Sequence, residues 1–173
     1  MSFRTFSPSR PVTAPRVHDG WRTWLIGAGL GALAQLFFVG GYITWFLGAL
    51  CHEMGHTAVA LFCGSFAYPA IRLDGHAAAF HQEPSTVAAL CIWAALAWLA
   101  WRFRSDRGWL ILFLVATALY PLVAFTELRE YVHLAAGHLG ELVFATIFFW
   151  RAMKGGLTAN PVERPLYSAL AWL

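Results

Sequence analysis

Charged residues are scarce in this chain. Of its 173 residues only 12% are Asp, Glu, Lys or Arg, whereas 59% are hydrophobic; an average soluble domain has about twice that share of charge. The few charges also avoid several long apolar stretches, which excludes a disordered chain and argues against an ordinary soluble enzyme. The sequence predicts a single-domain integral membrane protein with several spans, which we expect in a bacterial cytoplasmic membrane.

Cysteine is also rare, and the basic residues form no continuous stripe. Cys51, Cys63 and Cys91 are odd in number and lie in or beside apolar segments, so we expect no disulfide framework. The net charge of +3 comes from basic residues in short segments between apolar runs. Basic residues distributed in this way are typical of membrane proteins, whose orientation they set, and not of nucleic-acid-binding proteins. We therefore expect the lipid bilayer, and no nucleic acid, as a partner.

Long apolar runs predict an all-α polytopic fold with four to five transmembrane helices. The first run, from Trp24 to Cys63, covers about 40 residues, twice the length of a spanning helix, and Gly40-Gly41 is the natural break within it. Gly27 and Gly31 form a GxxxG pair, which predicts close helix packing within the chain. The expected helices lie near residues 22–39, 43–63, 86–103, 109–126 and 132–150.

The two ends of the chain differ from this apolar body. Residues 1–20 are expected to form a mobile basic arm, residues 21–153 a transmembrane domain, and residues 154–173 a tail with a short surface helix. The basic segments at 102–107 and 151–154 predict the same side of the membrane. If the first two helices make one effective crossing, the basic arm lies on that same side. If they make two, the arm lies on the opposite side, and its charge outweighs that of the loops in setting the orientation. The sequence leaves both topologies open.

A small juxtamembrane β-hairpin is predicted over about residues 67–81. Two extended candidates flank Asp74-Gly75, a pair that is a strong short-range hairpin signal. Pro69 confines its strand to an edge or end position. We interpret His76 and His81 in this segment as surface histidines or substrate contacts.

The segment from His52 to His56 reads HEMGH, an HExxH motif within an apolar helix. One helical turn places His52 and His56 on the same face, about 6 Å apart at their side-chain bases, which suits two imidazole ligands of one zinc ion. Glu53 lies beside them and can accept a proton from a water that the metal acidifies. Ionisable residues inside a bilayer are costly without partners, so we interpret the motif as a metal site.

A catalytic zinc site usually has three protein ligands, so a further one must come from elsewhere. In the last predicted span, His138 and Glu141 share one helix face at i,i+3 spacing. Either is an expected third ligand, and the other then orients it. Gly137 and Gly140 predict that the HExxH helix comes close. His133 lies about 140° round the helix from His138 and is expected only to approach the site.

These features resemble the site-2 protease family, the membrane-embedded zinc metalloproteases of the M50 type. The likeness covers about 30 residues, namely the HExxH motif in a membrane helix, the segment that follows it and the hairpin-like segment. In that family the two histidines bind zinc, the glutamate activates water and the hairpin helps to hold an unwound substrate segment. The resemblance implies that His52 and His56 bind Zn²⁺, that Glu53 is the general base and that the substrate is a membrane-anchored protein.

The sequence departs from the family pattern at two points. The family usually takes its third ligand from an Asp in an LDG motif on a later membrane helix, whereas the only LDG here lies in the predicted hairpin turn. Asp74 is therefore a minor alternative ligand. The family also commonly places an Asn near the site, but the only Asn in this chain is Asn160. His133 is then a candidate to stabilise the oxyanion.

The sequence therefore predicts an intramembrane zinc endopeptidase that hydrolyses a peptide bond of a membrane-anchored protein. A non-proteolytic, metal-binding membrane scaffold or transporter is the main alternative, because the usual LDG element is missing and the chain is small. A membrane di-iron oxygenase is a weaker one. Its His76/His81 and His133/His138 pairs are five residues apart, a spacing that splays two side chains on a helix.

Overall fold

The computed structural model describes residues 18–72, 74, 76–154 and 163–172, and within them it is mostly helical. One two-stranded antiparallel sheet accompanies the helices, so the helical fold with a small hairpin is confirmed. The described elements are, in chain order, α1 (His18–Gln35), α2 (Phe38–Phe62), β1 (Ala67–Ile71), β2 (Ala77–His81), α3 (Thr86–Arg102), α4 (Arg107–Ala124), α5 (Leu128–Lys154) and α6 (Glu163–Ala171).

Both chain ends fall partly outside the described residues. Of the expected basic arm, residues 1–17 lie outside them, and α1 begins at His18. Of the expected tail, residues 155–162 and 173 lie outside them. Between these gaps α6 packs against α1 and α5, with Ser168 fully buried. A Cβ at Gly27 of α1 would overlap the Ser168 side chain, so Gly27 of the predicted GxxxG pair does pack within the chain.

Length and apolar composition mark two to three candidate membrane spans among the described helices. These are α4, most of α5 (Leu128–Met153) and, as a third, the bent pair of α1 and α2. The axes of that pair are bent by 113° at the break between them. Helix α3 is apolar but has only 17 residues. The expected count of four or five spans is not confirmed.

The break in the first apolar run lies at Leu36 and Phe37, so the prediction of a break at Gly40-Gly41 is wrong. The chain turns there through hydrogen bonds from the Leu36 and Phe37 amides to carbonyls of the last turn of α1. Gly40 instead lies in the first turn of α2. A Cβ at Gly40 would overlap the Ala34 carbonyl oxygen, so this glycine allows the two helices to approach and does not make the turn itself.

Helix α2 ends in a Schellman motif that directs the chain into the hairpin. Gly64 has φ +85°, the left-handed conformation that glycine adopts without strain. The Ser65 amide donates to the Ala60 carbonyl (2.9 Å) and the Gly64 amide to the Leu61 carbonyl (3.0 Å). Three residues after Gly64 the chain enters β1, which places the hairpin beside the end of α2.

The predicted hairpin is confirmed. Strands β1 and β2 pair antiparallel, with Ala67 opposite His81 and Ile71 opposite Ala77. Tyr68 and Phe80 stack across the strands with ring centroids 5.7 Å apart. Asp74 lies in the turn, whereas the other residue of the predicted Asp-Gly pair, Gly75, falls outside the described residues.

Two hydrogen bonds connect the α3–α4 pair and the end of α2. The Trp93 indole donates to the Thr117 carbonyl (2.9 Å), which ties α3 to α4. The Tyr120 hydroxyl, on a side chain that is only 1% exposed, donates to the Phe62 carbonyl (2.9 Å). Since the last carbonyls of a helix have no partner within it, Tyr120 both satisfies one of them and positions α4 against α2.

Helices α2 and α5 run antiparallel and touch through their backbones. A Cβ at Gly55 would overlap the Ala136 carbonyl oxygen, and one at Gly140 would lie 2.6 Å from the Cys51 carbonyl oxygen. Only residues without a side chain allow this approach, so the predicted close approach of the HExxH helix to α5 is confirmed.

Replacing Gly55 with alanine is expected to lower the free energy of unfolding by about 1–3 kcal/mol, because the added methyl group overpacks the contact between α2 and α5. Thermal unfolding in detergent measures this. The matched control is Gly29→Ala on α1, where a Cβ meets nothing within 4 Å. That variant is expected to be neutral or slightly stabilising, since alanine favours helix by up to about 1 kcal/mol. Equal effects of the two substitutions would contradict this account.

Candidate metal centre

The two histidines of the HExxH motif face each other from successive turns of α2. Their ring centroids are 4.8 Å apart, and the two Nε2 atoms are separated by 3.1 Å. Two nitrogens bound to one tetrahedral zinc at about 2.0–2.1 Å would lie about 3.3 Å apart. The pair therefore has nearly the separation that a shared metal ion requires.

Both imidazoles also hydrogen bond to residues of α5 through their second ring nitrogen, Nδ1. His56 Nδ1 donates to the backbone carbonyl of His133 (2.8 Å), and His52 Nδ1 donates to Glu141 Oε1 (2.9 Å). A carbonyl oxygen and a carboxylate only accept hydrogen bonds, so each Nδ1 carries a proton. In the neutral form of either ring Nε2 is then the nitrogen that can bind a cation, and the two Nε2 atoms face each other.

Glycines of α5 make room for these rings. A Cβ at Gly137 would overlap the imidazole of His52, so this position cannot carry a side chain while His52 keeps its orientation. Gly140, one turn further along, brings Glu141 within hydrogen-bond reach of His52. The expected contribution of α5 to the site is thus present, and close backbone packing makes it possible.

Glu141 connects His52 to His138. Its second carboxylate oxygen accepts from His138 Nδ1 (3.0 Å), and the rings of His52 and His138 are 5.0 Å apart. His52, His138 and Glu141 each offer a ligand atom, and these atoms lie within 4.8 Å of one another. This group could hold a metal ion, and it does not include His56. The four expected ligands therefore form two overlapping sets that share His52.

Glu53 is the general-base candidate, and it is buried next to the histidines. Only 8% of the residue is exposed, and it lines a cavity of about 440 Å³ together with His52 and Glu141. Among the described residues no side chain hydrogen bonds to its carboxylate. An unpaired carboxylate in such a place is costly. A water molecule or a substrate in the cavity would supply the missing partner.

A second cavity, of about 400 Å³, lies on the other side of the histidine pair. His56, His133 and His81 line it, the last from the end of β2. Their rings form a row, with centroids 4.8 Å apart between His56 and His133 and 5.1 Å apart between His133 and His81. Sequence reasoning gave His81 only as a surface histidine or a substrate contact. The pairing of His81 with Ala67, next to the end of α2, brings it towards the site.

Other candidates lie apart from the two central histidines. Asp74, the minor alternative ligand, pairs with Arg72 (2.6 Å) and His76 (3.2 Å) in the exposed hairpin turn. None of its described contacts is with His52 or His56. His76 thus contacts Asp74 and not the central pair, so the three histidine pairs of the di-iron alternative are not brought together.

The backbone carbonyl of His133 is the functional group that sequence reasoning missed. It orients His56, yet a carbonyl is present at every residue and has no signature in a sequence. Only the packing of α5 against α2 selects this one.

No protein-family model, curated protein or solved structure matches this chain.

Metal content should discriminate between the two overlapping ligand sets. If the metal lies between the Nε2 atoms of His52 and His56, His56→Ala loses it, whereas a metal held by His52, His138 and Glu141 survives that substitution. We expect His56→Ala to lose the metal, measured by elemental analysis of protein purified in mild detergent. His76→Ala, in the exposed hairpin turn, is the matched control and should keep it. If His56→Ala keeps the metal and His138→Ala loses it, the metal is bound by His52, His138 and Glu141 instead.

Proposed function

We propose that this chain is an intramembrane zinc metalloprotease that hydrolyses a peptide bond of a membrane-anchored protein. The observation that supports this most directly is the 3.1 Å separation of the His52 and His56 Nε2 atoms beside Glu53, which lines a cavity together with His52. Two imidazoles and an adjacent free carboxylate are the parts that metal-assisted hydrolysis requires. The resemblance of the HExxH segment to site-2 proteases agrees with this chemistry.

The protein groups have separate tasks around the metal. His52 and His56 hold it through Nε2, and Glu141 positions His52 through the hydrogen bond to Nδ1. His138, held by the same carboxylate, is the proposed third ligand, and Glu141 is the alternative. When bound, zinc supplies Lewis acidity, which acidifies a water molecule and polarises the substrate carbonyl.

Glu53 moves the proton. Its carboxylate opens into the cavity of about 440 Å³ and has no competing donor among the described side chains, so it is free to accept a hydrogen bond from the attacking water. It takes the proton of that water and returns it to the amine of the cleaved bond.

The membrane setting constrains how a substrate reaches the site. We propose four crossings, with the bent pair α1–α2 as one and α3, α4 and α5 as the others. His52, Glu53 and His56 then face α5 and the cavities instead of lipid, as the cost of intramembrane charge requires. A substrate helix must unwind locally before its carbonyl is accessible. The outer edge of the hairpin offers free backbone groups to such an extended segment.

His133 is the proposed stabiliser of the oxyanion. Its ring lines the second cavity beside His56, while its backbone carbonyl, not its side chain, orients His56. The imidazole is therefore free to donate a hydrogen bond to the developing negative charge. This separation of roles allows the side chain to be changed without disturbing the ligand.

Glu53→Gln is expected to reduce turnover by a factor of about 10²–10⁴, because the amide cannot accept the proton of the attacking water. The variant should keep its metal, since Glu53 is not among the expected ligands. The assay follows cleavage of a single-span test substrate in vesicles, with metal content measured in parallel. Glu127→Gln, which removes an exposed carboxylate at the start of α5, is the control and should cleave normally. Undiminished cleavage by Glu53→Gln would end the proposed mechanism.

His133→Ala should keep the metal and lose cleavage by a factor of about 10²–10³, the usual effect of removing one oxyanion donor. The loss is expected in kcat and not in KM, because the hydrogen bond forms only as charge develops. His133→Asn retains a donor and should recover part of the rate. Loss of the metal in His133→Ala would show instead that the ring supports the ligands.

A non-proteolytic metal-binding membrane scaffold is the second candidate. The observation that favours it is the ligand group of His52, His138 and Glu141, which includes neither His56 nor Glu53. Metal retention by both Glu53→Gln and His56→Ala, without any cleavage by the wild type, would support this reading.

A further inference from the structure

The antiparallel helices give the molecule two ends with different contents. At one end, termed the hairpin end, lie the end of α2, the hairpin, the start of α3, the end of α4 and the start of α5. At the other, termed the basic end, lie the loop between α3 and α4 and the end of α5. The start of α1 is also at the basic end, because a Cβ at Gly20 would meet the side chain of Met153.

Charge is divided unequally between these ends. Among the described residues, the hairpin end has two basic and four acidic residues, namely Arg72, Arg129, Asp74, Glu83, Glu127 and Glu130. The described part of the basic end has seven basic residues against three acidic ones (Asp19, Asp106 and Glu163). Its basic residues are Arg22, Arg102, Arg104, Arg107, Arg151, Lys154 and Arg164. The two ends therefore differ in sign.

Aromatic rings accompany the positive charges at the basic end. Three guanidinium groups lie over tryptophan rings, at 5.7 Å for Arg22 on Trp21, 5.0 Å for Arg104 on Trp101 and 6.0 Å for Arg151 on Trp150. Tryptophan and arginine together are typical of the headgroup region of a membrane. Segments that are far apart in the sequence thus form one interfacial layer.

The histidine site lies nearer to the hairpin end. His56 is six residues from the last residue of α2, about 9 Å at 1.5 Å per residue. His133 is five residues from the start of α5, whereas 20 residues, about 30 Å, separate it from Met153. The cavity that His56, His133 and His81 line also reaches Glu83 and Glu130 at that end. This cavity therefore opens away from the basic end, whereas the cavity that holds Glu53 extends to Gly41 and Thr44 near the start of α2.

We propose that the basic end lies against the anionic lipid headgroups of the cytoplasmic leaflet, and that the cavity lined by His56, His133 and His81 opens towards the opposite, non-cytoplasmic surface, where a substrate segment enters. Cytoplasmic segments of helical membrane proteins are enriched in Lys and Arg, and anionic lipids attract them further. With α1 starting beside the end of α5, Arg22 lies at the same end as the two basic segments near 102–107 and 151–154. The bent pair α1–α2 then makes one crossing.

This orientation specifies the substrate class, and this step rests on the proposed function. A bond that reaches His56 lies about 9 Å, fewer than two helical turns, from the end of α2 that faces the non-cytoplasmic side in this orientation. The protease would therefore cleave its membrane-anchored substrates near the non-cytoplasmic end of their spanning segment.

Single cysteines report the orientation directly. Cys51, Cys63 and Cys91 are replaced in the full chain, and either Ala78→Cys on β2 or Ser105→Cys in the loop between α3 and α4 is added; both positions are exposed. Intact cells are treated with a membrane-impermeant maleimide before and after permeabilisation. We expect Ala78→Cys to react in intact cells and Ser105→Cys to react only after permeabilisation. If the cysteine-free chain loses its metal, the same pair is placed in a chain that lacks only the exposed Cys91.

The reverse pattern would overturn the proposal, as would reaction of both positions in intact cells or of neither before permeabilisation. Labelling does not depend on cleavage, so the Glu53→Gln variant should give the same pattern as wild type. If the wild type shows the expected labelling but cleaves no substrate, only the proposed function is refuted. Active protease with reversed labelling would refute only the orientation, and mass spectrometry of the products should then place the cut at the other end of the substrate.

Discussion

Backbone contact between α2 and α5 is the constraint on which the candidate site depends. Gly55, Gly137 and Gly140 leave no side chains between the two helices, so the backbones approach as closely as helices can. Apolar side chains gain little by association in lipid, where the surroundings are as apolar as they are. Close backbone packing and interhelical hydrogen bonds provide the stabilisation instead. The same contact that holds the helices together brings α5 within reach of the HExxH histidines.

That proximity orients the two imidazoles. His52 and His56 both donate from Nδ1 to acceptors on α5, one a carboxylate and the other a backbone carbonyl. These hydrogen bonds place a proton on each Nδ1 and direct the two Nε2 atoms at each other. The hydrogen-bond pattern therefore adds to the spacing of the histidines as support for a candidate metal centre.

The pair of His52 and His56 borders two cavities that are lined by different residues. Glu53 lies in one of them, and the row of His56, His133 and His81 borders the other. The proposed hydrolysis needs a base on one side of the reacting carbon and a donor for the oxyanion, and it assigns these roles to groups in different cavities. The hairpin contributes to the second cavity because the Schellman motif at Gly64 turns it back beside the end of α2. A local helix-ending motif thus has a direct effect on the composition of the site.

Local chemistry in the sequence determined the helices, the hairpin and the spacing of the HExxH residues. Apolar runs, the Asp-Gly pair and one helical turn between His52 and His56 depend only on neighbouring residues. The break in the first apolar run was predicted at Gly40-Gly41, but the chain turns at Leu36 and Phe37, where no glycine marks the turn. Gly40 instead allows the start of α2 to lie close to Ala34 of α1. The tertiary structure alone decided three further features. These are the acceptor to which each histidine donates, the division of the ligands into two overlapping sets, and the contact between the start of α1 and the end of α5. Each of these depends on groups distant in the chain, several of them backbone atoms that every residue possesses, so packing and not residue identity selects them.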